Sequence, residues 1–248
     1  MNFKDHFSGH ANLYAHARPH YPDTLFAWIA ANAHARDWVW DAGCGNGQAS
    51  VALAKHFERV IATDPSAQQV DNAEKHPRID YHVEPAERTT LVDHCADAVT
   101  VAQALHWFDL PRFVAEVRRV AKPDALFAAW SYAGCSVAPE VDAVIAELYD
   151  GTLGAYWPPE RRLVDEGYAS MVLPVAPVAT PAFEMRVEWD TEQLLAYLAS
   201  WSAAQCYRAT TGIDAVAAIA RMLREAWGDP QQPRAVRWNL AMRAGRVL

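Results

Sequence analysis

The chain reads as an α/β protein built on a mostly parallel sheet with helices on both faces. Between Asp37 and Trp130, short apolar strand-like runs alternate with helical stretches, the signature of βα units whose strands are buried on both sides. The first run, Trp38-Val39-Trp40-Asp41, passes directly into Ala42-Gly43-Cys44-Gly45-Asn46-Gly47 and then a helix. Toward the C-terminus, residues 183–189 and 236–242 alternate apolar and polar side chains, the period of half-buried strands on an antiparallel side of a sheet.

In chain order the reading is strand 38–40, helix 46–57, strand 60–63, a helix from Ser66, strand 79–83, strand 98–102, helix 110–121 and strand 125–130. The helix after Asp109 carries Leu110, Phe113, Val114, Val117 and Val120 at 3.6-residue spacing, which makes that face core, and Lys122-Pro123-Asp124 ends it. Two helices, 191–205 and 214–227, lie between the alternating strands, and a proline- and aromatic-rich segment, 151–181, precedes them. These are the expected lid and substrate-pocket elements. One domain is expected over 1–248: a cover segment 1–36, a core 37–132, and cap elements 133–181 and 191–233.

A length of 248 residues with 52% hydrophobic content suffices for a full core. The formal charge of −8 offers no general attraction to nucleic acid or to anionic membranes. The opening residues lack the apolar stretch of a signal peptide, and no uncharged apolar run is long enough to span a bilayer, so a soluble, cytoplasmic protein is expected. Cys44, Cys95, Cys135 and Cys206 are scattered and read as reduced, buried thiols. His6/His10 and His16/His20 stand four apart, but Pro19 interrupts the second pair and no further ligand completes the first, so no metal site is expected.

The glycine turn holds the chemistry. Its backbone is bare where a ligand can lie against main-chain N–H groups. Asp41 at the strand's end is a poor phosphate neighbour and a good partner for an ammonium, which points to S-adenosylmethionine rather than a dinucleotide. Asp64 ends the second strand about 20 residues later, where a carboxylate can accept both ribose hydroxyls. The lesser alternative is that it only caps the turn that follows. A dinucleotide dehydrogenase is the competing enzyme reading; Asp41 and the Gly-x-Gly-x-Gly spacing count against it.

Asp41 through Gly47, Asp64, Ala86-Glu87 and Gln103-Ala104-Leu105-His106-Trp107-Phe108-Asp109 together resemble the successive motifs of class I S-adenosylmethionine-dependent methyltransferases, and most closely the type 11, trans-aconitate methyltransferase-like branch. The resemblance implies a Rossmann-like, seven-stranded mixed sheet with a C-terminal cap insertion. It also implies that Asp41, Gly43 and Gly45 hold the methionine end, Asp64 the ribose, and Ala86-Glu87 the adenine, while Gln103 borders the transferring methyl. Pro85 departs from the family's usual aspartate before the Ala-Glu pair. Glu87 also reads as an ordinary solvent-facing residue.

Methyl transfer from a sulfonium is an in-line displacement that needs alignment and exclusion of water. A carboxylate acceptor needs no base; a hydroxyl or amine does, and His106 is the candidate, unless it pins the loop beneath the cofactor. Trp107 reads as packing or substrate contact, and Asp109 as a helix N-cap. Tyr14 and Arg18 fall in the segment that the resemblance folds over the pocket. In the insertion, Trp157 and Arg161 join flat apolar area to an anion-binding group, and Trp201 either lines the pocket or continues the stripe of Leu194, Leu195 and Leu198. The expected activity is methylation of a small molecule, an organic acid foremost, by a monomer or homodimer; a non-catalytic binder of the cofactor is the reading from outside catalysis.

Overall fold

A computed structural model describes residues 19–248. Five parallel strands form the core of the sheet: β1 (Trp38–Ala42), β2 (Arg59–Asp64), β3 (Ile79–Val83), β4 (Ala96–Ala102) and β5 (Ala121–Ser131). A long last strand, β8 (Arg234–Val247), runs antiparallel to β5. Its C-terminal end also pairs with the three-residue β6 (Val175–Pro177), and its N-terminal half pairs with β7 (Phe183–Trp189). The order is β3-β2-β1-β4-β5-β8-β6, with β7 on β8, which makes eight strands. The eighth beyond expectation is β6, whose Val-Ala-Pro sequence carries no alternation to announce it.

The helices are α1 (Asp23–Asn32), α2 (Gln48–Leu53), α3 (Ala67–Asp71), α4 (Leu110–Val120), α5 (Pro139–Ala146), α6 (Arg161–Asp165), α7 (Thr191–Ala199), α8 (Ser202–Thr211) and α9 (Ala215–Trp227). Their stripes divide the core in two. Leu25, Phe26 and Ile29 of α1 and Leu53 of α2 cover one face of the sheet, together with the cap helices α7 and α9. Phe113, Val117 and Val120 of α4, with Val164 and Tyr168, cover the other. Leu110 and Val114, at the margin of the stripe, are only half-buried.

The helix expected over 46–57 is confined to Gln48–Leu53 and the strand at 236–242 lengthens to Arg234–Val247; two further boundaries differ from the sequence reading. Residues 121–124 join β5 instead of merely ending α4: Ala121 pairs with Ala96, the register then shifts so that Ala98 pairs with Leu126, and Asp124, at a φ of +61°, lies in the irregular stretch. The expected single helix 191–205 is two helices. Ser200 turns its hydroxyl back on the Tyr197 carbonyl at 2.6 Å, and Trp201 adopts an extended backbone that restarts the chain as α8.

Among the described residues no helix is long and apolar enough to cross a membrane. No group of three or more His, Cys, Asp or Glu side chains there is arranged to hold a metal ion. The four cysteines are free; Cys44 is buried, Cys95 and Cys135 partly so, while Cys206 is exposed, contrary to the expectation of four buried thiols.

Candidate active site

The order β3-β2-β1-β4-β5 reverses direction between β1 and β4, and the loops leaving the carboxyl ends of those strands open a crevice there, the usual ligand position of an open α/β sheet. The glycine turn follows β1 at this point. Gly43 and Cys44 both donate their N–H groups to the Thr63 carbonyl, at 2.8 and 3.0 Å, and the Gly45 N–H donates to Asp64 Oδ2 at 2.9 Å. The end of β2 thus carries the turn. Asp64 also accepts the Ser66 N–H at 2.9 Å, so its carboxylate is fixed between two main-chain donors while serving the following turn as well.

Gly43 is required by crowding. At a φ of +70°, a Cβ there would stand 2.7 Å from Ala104 Cβ and 2.9 Å from Phe108 Cζ, so the loop after β4 lies directly on the turn. Gly45, at a φ of +55°, faces the opposite condition: among the described residues nothing lies nearer to its Cβ position than Gln69 Oε1 at 4.0 Å. This open space beside exposed backbone, at the switch point of the sheet, fits an extended cofactor such as S-adenosylmethionine.

Asp41 is sealed. It has no exposed surface, and its two oxygens accept from Ser50 Oγ at 2.6 Å and Thr100 Oγ1 at 3.0 Å. Burial pushes its carboxyl up to about 6 against the pull of those two hydroxyls, with the Asp64 charge adding to the rise. The sequence reading set this carboxylate against a ligand ammonium; the structure places it behind the turn, joining β1, α2 and β4.

Gln103 also differs in detail. It ends β4 with a φ of +55°, rare for a side-chain-bearing residue, and its amide pairs twice with Tyr132: Nε2 donates to the carbonyl at 2.7 Å and Oε1 accepts the N–H at 3.0 Å. The amide therefore clamps the ends of β4 and β5, leaving the Gln103 backbone to border the crevice. Ala86 is buried, and Glu87 Oε1 accepts the Asp109 N–H at 2.8 Å, which ties the turn after β3 to the start of α4. Asp109 caps α4 through the Arg112 N–H at 3.4 Å.

On the other side of Gln103, His106 sits in a short 3-10 turn, Leu105–Trp107, with its ring 4.6 Å from that of Trp107. His106 Nδ1 lies 3.0 Å from the Tyr168 hydroxyl. Burial first, and the nearby Arg161 charge second, hold the imidazole down to about 3, so it is neutral across the physiological range. Arg161, on α6, turns inward. Its Nε donates to Tyr149 Oη at 2.6 Å and to Asp165 Oδ1 at 3.1 Å, and its guanidinium lies 4.6 Å over Trp157 and 5.2 Å from the Tyr149 ring centre. Its terminal nitrogens make no hydrogen bond among the described residues. Its neighbour Arg162 points to solvent and pairs with Glu166.

Trp157 is partly exposed and anchored by its indole N–H on the Tyr149 carbonyl at 3.1 Å. Trp201 stands behind it, only 4% exposed, within 5.5 Å of both Trp157 and Tyr149 and 5.9 Å of Tyr197. It is buried within this aromatic cluster, behind Trp157. Tyr14 and Arg18 lie outside the described residues. The chain enters the described region beside the crevice, where the Pro19 carbonyl accepts from Gln48 Nε2 at 3.2 Å and Tyr21 packs edge-on against Trp130 at 5.6 Å.

The residues that sequence reasoning missed are Tyr149, Asp165, Tyr168, Ser50 and Thr100. Tyr168 is 62 positions from His106, and no local pattern marks it. Ser50 and Thr100 carried a weak signal, as small hydroxyl residues at a helix start and within an apolar strand, next to a carboxylate that burial obliges to find partners.

Comparison with known proteins agrees with this geometry. The family described as a methyltransferase domain matches residues 40–129. A candidate methyltransferase of Dictyostelium discoideum is 34% identical over 204 residues, covering 81% of this chain and 78% of that protein. A candidate type II methyltransferase from Anaeromyxobacter dehalogenans, known as a solved structure, is 49% identical, superimposes with a TM-score of 0.88, and covers 93% of this chain and 98% of its own. The YcgJ protein of Bacillus subtilis, 18% identical with a TM-score of 0.52 over 91% of this chain and 99% of that one, shares the fold. The glycine turn braced by Asp64, the switch-point crevice and these relatives place the chain in the class I S-adenosylmethionine-dependent methyltransferase family.

Proposed function

We propose that this methyltransferase acts on a carboxylate oxygen of a small organic acid, of the di- or tricarboxylic kind suggested by the resemblance to trans-aconitate methyltransferases. Arg161 carries the reading. A guanidinium with its Nε tied to Tyr149 and Asp165, its face on Trp157 and its two terminal nitrogens unengaged among the described residues is a preorganised fork for a planar anion. Asp165 offsets part of the charge, but it is bound on the Nε side, away from the fork.

When bound, S-adenosylmethionine supplies the electrophilic methyl of a sulfonium. Arg161 would hold the acid so that one of its oxygens faces that methyl, with the sulfonium sulfur as the leaving group. A carboxylate is already ionised near neutral pH, so no proton moves and no base is required. This suits a site in which the imidazole after β4, His106, is held far below the pH at which it would exchange protons usefully. The aromatic walls Trp157 and Tyr149 exclude water and orient the acid. In the same reading Asp64 receives the ribose, the Ala86-Glu87 turn borders the adenine, the Gly43–Gly45 backbone receives the methionine end, and the acceptor is a free small molecule.

Calorimetric titration of the protein, preloaded with S-adenosylhomocysteine, with aconitate isomers and citrate tests this. Saturable binding that Arg161→Met weakens at least about tenfold is expected for a charge-assisted fork. Equal binding by the variant, or binding of uncharged alcohols alone, would contradict it.

A further inference from the structure

Tyr168 is a residue to which the methyl-transfer reading gives no task, yet it is built with unusual care. It is fully buried and held at a φ of +61°, a conformation that costs a tyrosine on the order of 1 kcal/mol or more. Its carbonyl accepts from Arg243 Nη1 at 2.5 Å, a bond from β8 that fixes this backbone. The segment Arg161-Asp165 to Tyr168 therefore presents Arg161 and the Tyr168 phenol to the same place, the space beside His106.

The phenol has one proton to give. The main chain of Leu105 and His106 lies beside its oxygen as candidate donors, and the hydrogen bond that the phenol makes here is to the His106 ring nitrogen. Ser131 Oγ is close but makes no hydrogen bond, while His106 Nδ1, at 3.0 Å, is well placed to accept. With Nδ1 accepting, a neutral imidazole must carry its hydrogen on Nε2. That atom makes no hydrogen bond among the described residues, as is true of the terminal nitrogens of Arg161 and of buried Ser131 Oγ. Buried polar atoms call for partners, and Ser131 Oγ has none among the described residues; beside it, His106 Nε2 and the terminal nitrogens of Arg161 offer donors to an incoming group.

We propose that Tyr168 is a positioning residue which, by donating to His106 Nδ1, locks the Nε2–H tautomer and makes His106 a hydrogen-bond donor that grips the acceptor carboxylate together with Arg161. This rests on the acid-acceptor reading and sharpens it: His106 is not the general base that its place after β4 suggested. It binds one carboxylate oxygen through Nε2–H, Arg161 binds through its fork, and the acid's uncoordinated lone pair is left for the methyl. The chemistry selected is a planar anion; an amine acceptor would meet only donors.

Long-range 1H–15N NMR of the 15N-histidine-labelled protein, without any acid present, reads the tautomer of His106 directly. The expected result is protonation on Nε2 in the wild type and a shift toward a mixture in Tyr168→Phe, which keeps the ring and the fold. Protonation on Nδ1 in the wild type would overturn the proposal whatever acids bind. Adding citrate or aconitate tests the underlying reading separately: a shifted His106 Nε2–H resonance supports it. An unmoved resonance with the Nε2–H tautomer intact would end the carboxylate-gripping role while leaving the tautomer assignment standing. In turnover assays with whichever of these acids is methylated, His106→Gln, which keeps an N–H near the Nε2 position, should retain about tenfold more kcat/KM than His106→Ala, the loss lying in KM. Equal loss in both variants, concentrated in kcat, would return His106 to the role of base.

Discussion

Asp64 and Gly45, 19 residues apart in sequence, are joined by a 2.9 Å hydrogen bond from the Gly45 N–H to the Asp64 carboxylate. Through this bond the end of β2 sets the shape of the turn after β1 before any ligand arrives. Removal of the carboxylate by Asp64→Ala frees the Gly45 and Ser66 N–H groups together. We expect a stability loss of about 1–3 kcal/mol in urea unfolding and at least about tenfold weaker S-adenosylmethionine binding by calorimetry. An Asp64→Ala protein that binds the cofactor as tightly as wild type would show the residue to be a turn cap only.

Asp41 links pH to stability. Its carboxyl in the folded protein is raised to about 6, whereas in the unfolded chain it ionises near its ordinary value of 3.8. Between those values the folded state holds the proton and the unfolded state does not, so the contribution of Asp41 is most favourable below pH 4 and is lost as pH rises through 6. Asp41→Asn removes that titration. The stability of wild type relative to Asp41→Asn should fall between pH 5 and pH 8, measured by urea unfolding at each pH; a difference that rises over this interval would mean the carboxylate is better solvated than its burial indicates.

Crowding at the glycine turn predicts that Gly43→Ala and Gly47→Ala are both destabilising. The added methyl meets Ala104 in the first case and the Tyr81 hydroxyl in the second, each at a positive φ. About 2 kcal/mol or more is expected from the combination of strain and overlap. Thermal melts should show Tyr81→Phe restoring part of the loss in Gly47→Ala and none in Gly43→Ala, since only the former collides with the phenol.

The Gln103 clamp should be felt as strain released at the expense of order. Gln103→Gly relieves the positive φ but gives up both bonds to Tyr132. Hydrogen exchange at the Tyr132 amide is expected to accelerate at least about tenfold, with a net stability loss of about 1 kcal/mol. Unchanged exchange would show that the ends of β4 and β5 are held by the ladder alone.

Much of this architecture is legible in the chain itself. The strand–turn–helix unit at Trp38, the carboxylate ending β2 and the stripe of α4 each follow from local periodicity or from a side chain adjacent in sequence. The alternation at 183–189 and 236–242 marks β7 and the middle of β8 for the same reason. What is not legible is set by contacts across the chain. Burial of Asp41 depends on Thr100, 59 positions away, and the task of Gln103 depends on Tyr132, 29 positions away. Arg161 and Arg162 look alike in sequence; which of them turns inward depends on Tyr149 and Trp157 packing against Trp201, a tertiary outcome that no short pattern encodes. The break before Trp201 is likewise not legible, because helix propensity is continuous through it, while the Ser200 hydroxyl turns back on the Tyr197 carbonyl and the Trp201 indole packs into the cluster.

The most direct measurement is mass-spectrometric detection of product from the purified protein, S-adenosylmethionine and a panel of di- and tricarboxylic acids, compared between wild type and Arg161→Lys. The account predicts a base-labile methyl ester, with KM for the acid raised about tenfold or more in Arg161→Lys while kcat changes little. Methylation of a hydroxyl or an amine with no ester from any acid, at a KM indifferent to Arg161, would contradict it.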